Sequence, residues 1–160
     1  MLINGYPNFS EIRCEDATLA LAASEMSALC IRRFGREDKN WSIRFQIDRE
    51  LPSFEVTFKE RVLYISGPTS VEILYGVYDF AEKILGFFFF EPGNDLLNGD
   101  GPVELPEGIV IPARKVPFKV RGFIQEYPFD ENSPLLADWM AKNKLNFLPE
   151  PSMVCRALYR

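Results

Sequence analysis

The 160-residue chain predicts an α+β fold, a mostly antiparallel sheet with two helices packed on one face, followed by an incomplete β-α-β barrel fragment. Three observations carry this. Residues 41–48, 53–59 and 61–67 are alternating or β-branched stretches of strand length. Two stretches, 17–34 and the one between Thr69 and Gly86, repeat apolar residues at helical spacing. From residue 118 a strand-like, a helix-like and another strand-like stretch follow in the order that builds parallel sheets and barrels.

The elements follow in chain order. "SEIRC" at 10–14 reads as a short strand, after which Asp16 caps a helix whose stripe is Leu19, Ala22, Ala23, Met26, Leu29 and Cys30. Gly35 supplies the left-handed residue that ends it. In 41–48, Ile43, Phe45 and Ile47 share one face while Ser42, Arg44, Gln46 and Asp48 share a wet one. Only Lys59 and Glu60 separate the next two strands, so these form an antiparallel hairpin. Thr69 and Glu72 make a capping box, and the helix that follows carries Val71, Leu74, Val77, Tyr78, Ala81, Ile84 and Leu85 on one stripe. Gly86 ends it, and "FFFF" at 87–90 begins at once. As a strand it sends Phe87 and Phe89 to one face and Phe88 and Phe90 to the other. It is expected to be a central strand covered on both sides, because burial of each ring is worth about 1.5–3 kcal/mol.

Residues 94–117, rich in Gly, Pro, Asn and Asp, read as a connector with at most one short strand at 109–111. "FKVRGFIQ" at 118–125 reads as a strand. Ser133-Pro134 opens a helix with Leu136, Trp139 and Met140 on one side, and "NFL" resumes a strand. The domain division is 1–116 and 117–160.

Composition narrows the function classes. At 47% hydrophobic and 26% charged the chain is of the folded, soluble kind. Its net charge of −5 leaves no basic stripe for nucleic acid or anionic lipid. Arg32, Arg33, Arg36 and Lys39 are interrupted by Glu37 and Asp38, as on a solvated helix end. The phenylalanine run is far shorter than the roughly 20 apolar residues that span a bilayer. Cys14, Cys30 and Cys155 form no C-x-x-C pair, and there is no histidine to complete a zinc set, so no metal or other cofactor is expected and the thiols read as inert. "MLINGYPNF" lacks the features of a signal peptide, and the compartment stays open.

Without histidine, Ser-His and Cys-His nucleophile systems are ruled out, and no phosphate-binding glycine motif occurs. Carboxylates remain: Glu126, Asp130, Glu131 and Glu150 flank the two strand-like ends of the last third. Two carboxylates can act as acid and base across a glycosidic bond, whereas acidic loop residues are more often simply solvated.

"ISGPTSVEILYGVYDFAEKILGFFFFEPG" resembles the end of the non-catalytic α+β domain that precedes the barrel in β-N-acetylhexosaminidases and α-glucuronidase-like glycoside hydrolases. Ile65, Gly67, Leu74, Tyr75, Gly76, Leu85, Gly86 and Pro92 carry the match. "FKVRGFIQE" is similar to the first barrel strand of such enzymes, and "DWMAKNKLN" to their first barrel helix and the start of the second strand. The resemblance implies an accessory domain supporting a sugar-hydrolysing barrel. Arg121, with Glu126 and Tyr127 beside it, would contact substrate; a structural ion pair is the other reading of Arg121.

A barrel needs about 250 residues, far more than 117–160 supply, so the paired catalytic carboxylates are expected beyond Arg160 and this stretch alone is expected to be inactive. No catalytic residue is therefore assigned. Carbohydrate is the expected partner, by way of the parent enzyme. A homodimer through apolar residues of the barrel fragment, Phe123, Leu136, Trp139 and Phe147, is also expected. The alternative is a stand-alone carbohydrate-binding or protein-interaction module using the open sheet face or Tyr127, Phe129 and Trp139.

Overall fold

A computed structural model of the protein describes residues 1–7, 16–124 and 130–149. The strand expected at 10–14 lies outside them. The chain divides into two compact units, Met1–Phe88 with Leu96–Val116, and Phe89–Asp95 with Pro117–Arg160.

The first unit is α+β. Its elements are β1 (Leu2–Ile3), α1 (Ala17–Phe34), β2 (Ser42–Ile47), β3 (Glu55–Lys59), β4 (Val62–Gly67) and α2 (Ser70–Phe80). A π-helical turn (Ala81–Leu85) leads from α2 into β5 (Phe87–Glu91) and β6 (Asn94–Leu97), of which Phe89–Asp95 belongs to the second unit, and β7 (Val103–Glu104) and β8 (Gly108–Ile111) follow in the first. The main sheet has the order β2-β4-β3-β8, with only the β2–β4 pair parallel. Its register aligns Ile43 with Leu63 and Phe45 with Ile65, and sets Val56 and Phe58 against Ile65 and Leu63. All the apolar partners thus share one face. The tight β3–β4 turn places Glu60 and Arg61 at φ 52° and 65°, the paired left-handed conformation of a type I′ turn, whose twist matches that of the strands.

The caps fall where the sequence puts them. Asp16 accepts hydrogen bonds from the Thr18 and Leu19 N–H groups at 2.8 and 3.0 Å, and Gly35 closes α1 at φ 66°. The bond from Leu19, above all, holds the Asp16 carboxyl below its usual range. Thr69 Oγ1 accepts the Glu72 N–H. Within α1 the buried residues Ala22, Met26, Leu29 and Cys30 belong to the expected stripe, and burial pushes the Cys30 thiol pKa up, which makes it unreactive.

Helix α2 departs from the one-stripe expectation. Residues 73–80 are all buried, whereas Val71 is exposed, because the helix packs on β4, β2 and β3 while α1 covers it from another side. Gly76 explains the closeness: a Cβ there would lie 2.7 Å from Ile65 Cγ2 and 3.3 Å from Phe54 Cβ. The buried Asp79 carboxylate is met by Lys83 one turn later. The Gly86 N–H then bonds to the Ala81 carbonyl, closing the wider π turn. At φ 83°, with the Asn98 carbonyl oxygen 2.2 Å from where a Cβ would be, position 86 accommodates only glycine.

Two expectations are corrected by the segment beyond Gly86. The phenylalanine strand is not part of the main sheet; β5 pairs with β6 in a separate two-stranded sheet across Pro92-Gly93. Nor are both of its faces covered: Phe87 and Phe89 are buried, but Phe88 is 52% and Phe90 76% exposed. A hairpin of two strands has one covered face here, so alternation leaves half the rings wet. Residues 94–117 likewise form more than a connector. They supply β6, β7, which pairs with β1, and β8, which forms an edge of the main sheet with a bulge opposite Val56 and Thr57.

The second unit contains α3 (Ser133–Lys142), opened by Ser133-Pro134 as expected. The strand expected at 118–125 is not formed over its described part. A single parallel bridge joins Gly122 to Phe147, with α3 between them in sequence. Polar side chains take the place of a ladder. Asn146 accepts the Arg121 N–H through Oδ1 and donates Nδ2 to the Lys119 carbonyl, both at 2.8 Å, and its own N–H reaches the Arg121 carbonyl.

Two outcomes follow for stability. Phe87→Ala costs about 3–5 kcal/mol, whereas Phe90→Ala, three residues along the same strand, costs less than about 0.5 kcal/mol, read from urea unfolding midpoints. Asp16 has a depressed folded pKa, so its cap is complete above the unfolded value of about 3.9 and is lost as pH falls through the folded value. Asp16→Asn keeps the cap and flattens that acid dependence of the melting temperature, while Asp16→Ala lowers the melting temperature at neutral pH as well.

Candidate functional site

A dense polar arrangement lies in the second unit, where α3 meets residues 89–95. Spacing on the helix aligns Asp138, Trp139, Lys142 and Asn143 toward one side, since residues three and four apart are neighbours. The Trp139 indole N–H donates to the Phe89 carbonyl at 3.0 Å, and Asn143 Nδ2 donates to the same oxygen at 3.1 Å. The helix thereby occupies a hydrogen-bonding edge of β5.

Lys142 stands at the centre. It is only 7% exposed, and its Nζ lies 2.6 Å from Asp95 Oδ2, 2.7 Å from Asp138 Oδ2 and 5.4 Å from the centroid of the Phe89 ring. Burial works to lower the lysine pKa, but the hydrogen bonds and charges of Asp138 and Asp95 outweigh it and hold the ammonium above the ordinary range. An ammonium so fixed is neither a nucleophile nor a base, because both roles need the neutral amine. The cluster is chemically a clamp, joining helix and hairpin through charge and the aromatic face.

Of the site residues expected from sequence, Arg121 is part of a second polar knot. Its Nε donates to the Lys144 carbonyl and its Nη1 to the Phe118 carbonyl, both at 2.8 Å. The guanidinium therefore spends two donors on backbone, holding residues 118–121 to 144–147. Glu126 and Tyr127 lie outside the described residues, as do Phe129 and Glu150. Trp139 is half-buried, its N–H engaged as above and its ring 6.4 Å from that of Phe123. Asp130 and Ser133 form a local turn at the start of α3.

The Lys142 cluster was missed in sequence. The Asp138–Lys142 spacing is visible there, but Asp95 is more than forty residues distant and carries no local signal. Among the described residues, no group of three or more histidine, cysteine or acidic side chains is placed to hold a metal ion, and no helix is long and apolar enough to cross a membrane. Compared with protein-family models, curated proteins and solved structures, the chain finds no match.

The clamp has a measurable pH signature. Because the folded pKa of Lys142 is raised, its stabilisation is complete below the unfolded value of about 10.4 and is lost as pH rises through the folded value. Lys142→Met removes that alkaline loss. Asp95→Asn combined with Asp138→Asn leaves the ammonium buried and unpaired, so the double variant is less stable than the summed single effects by about 0.5–3 kcal/mol in a double-mutant cycle.

Proposed function

We propose that residues 1–116 act as the non-catalytic accessory domain of a glycoside hydrolase of the β-N-acetylhexosaminidase or α-glucuronidase-like kind, with residues 117–160 contributing the start of its barrel. The observation that carries this reading is the packing of the residues that bear the resemblance. Gly76 of the Leu-Tyr-Gly triplet rests directly on Ile65, Leu74 and Tyr75 are buried beside it, and Leu85 is buried before the Gly86 stop. They form a folding signature rather than a reactive one, as a supporting domain requires. In this reading Arg121, Glu126 and Tyr127 are the sugar contacts of the barrel start, and Arg121 also orders the backbone around itself.

A stand-alone interaction module is the second reading, favoured by the exposed rings Phe88 and Phe90 and by the exposed Phe118, Val120 and Ile124. Self-association in the first reading uses Phe123 and Phe147, both exposed, with the half-buried Leu136 and Trp139 beside them in the chain.

One set of measurements separates these readings. The accessory-domain reading expects no turnover of aryl N-acetyl-β-glucosaminides or aryl glucuronides by the 160-residue chain, with concentration-dependent dimerisation in sedimentation and binding of a hydrophobic dye. Turnover abolished by Glu126→Gln overturns it in favour of a complete enzyme. Saturable glycan binding in calorimetry, lost in Trp139→Ala or Tyr127→Ala, establishes the binding module instead. A strictly monomeric, dye-silent chain removes the proposed dimer.

A further inference from the structure

The chain contains two Asn-Gly pairs, Asn4-Gly5 and Asn98-Gly99, which the fold treats very differently. Asparagine followed by glycine is chemically labile, because a glycine nitrogen meets no side chain of its own residue on approaching the preceding amide. The reaction forms a bond between the Gly nitrogen and the Asn side-chain Cγ and expels ammonia, giving a cyclic imide. Water then opens the imide to an aspartyl or isoaspartyl residue, so that an amide is exchanged for a carboxylate with no oxidant or cofactor.

At the first pair the backbone is fixed on all sides. Gly5 is buried, and a Cβ on it would lie 2.7 Å from Asp38 Cβ and 2.9 Å from the Arg36 carbonyl oxygen. The Asn4 carbonyl accepts Arg36 Nε at 2.6 Å, the Gly5 carbonyl accepts the Trp41 indole N–H at 3.0 Å, and the next residue, Tyr6, bonds back to Arg36 at 2.8 Å. The peptide rotation that ring closure requires would break these bonds.

The second pair stands in the open. Asn98 and Gly99 are both exposed; nothing lies within 4 Å of a Cβ built on Gly99, and no regular element resumes until Val103. Asn98 is held on its N-terminal side, where its N–H donates to the Gly86 carbonyl at 2.8 Å and its carbonyl rests against Gly86. Nothing lies within 4 Å of a Cβ built on Gly101 either.

We propose that Asn98-Gly99 is a site of spontaneous modification by deamidation and isoaspartate formation, and that the fold protects Asn4-Gly5 from the same reaction. The product adds one negative charge to a chain already at −5 and, in its isoaspartyl form, lengthens the backbone by one carbon where it meets Gly86. The modification thus acts at the base of the β5–β6 hairpin.

The test is ageing of the native protein in mildly alkaline buffer, followed by peptide mapping that resolves aspartyl from isoaspartyl products, with a parallel sample in denaturant. The native sample should react at position 98 at least about tenfold faster than at position 4, because position 4 reacts only from a locally opened state. In denaturant the two rates should converge, and Asn98→Gln should abolish the early acidic isoform in isoelectric focusing. Equal native rates, or a faster position 4, overturn the proposal. So does a preference for position 98 that survives in denaturant, since the selectivity would then belong to neighbouring residues and not to the fold.

Discussion

The approach of α2 to the main sheet is the constraint on which the first unit depends, and the missing side chain of Gly76 permits it. A helix that stands at ordinary distance from a sheet can keep a polar flank in water. Here the contact with Ile65 draws the whole middle of the helix inside, and α1 covers another flank. The buried Asp79 is then obligatory company for Lys83, because a carboxylate out of water needs a counter-charge. The caps at Asp16 and Thr69 set where the helices begin, but this contact sets how deep the second one lies.

Much of this is legible in the sequence. Asp16, Gly35, Thr69 and Gly86 are local signals, each acting within one turn of its own position, and each marks the boundary seen in the fold. Alternation in 42–47 likewise put Ile43 and Phe45 on the better covered face, since period 2 is a property of the strand itself, although Ile47 at its end is exposed. The depth of α2 was not legible, because a helix buried all round and one with a broad stripe differ in what surrounds them. The exposed Phe88 and Phe90 were hidden for the opposite reason. Hydrophobicity argues for burial, but only partners can provide it, and a two-stranded hairpin has too few layers to cover both faces.

The candidate site was less legible still. Arg121 stood out in sequence, yet what its guanidinium holds is the backbone of residues 118 and 144, identities that no spacing rule specifies. Lys142 joins Asp138, a helical neighbour, to Asp95, a residue from a hairpin far back in the chain. Together these two knots show how a small unit is ordered when few of its described apolar residues, Phe89 and Met140 among them, are fully covered. Directional polar contacts fix geometry where a small core supplies little cohesion.

The π turn at 81–85 has a consequence for inheritance as well as for shape. It holds one residue more than an α-helical turn would, between a helix fixed by Gly76 and a strand whose inward face is set by parity. Loss of a single residue there would restore an ordinary α-helical turn and leave Gly86 and the strand after it where they now stand. Phe87 and Phe89 would keep the inward face, because the residue removed is the one the wider turn holds in excess. The π turn therefore acts as a reserve of one residue, a tolerance to shortening that a plain α-helical turn in the same place would lack.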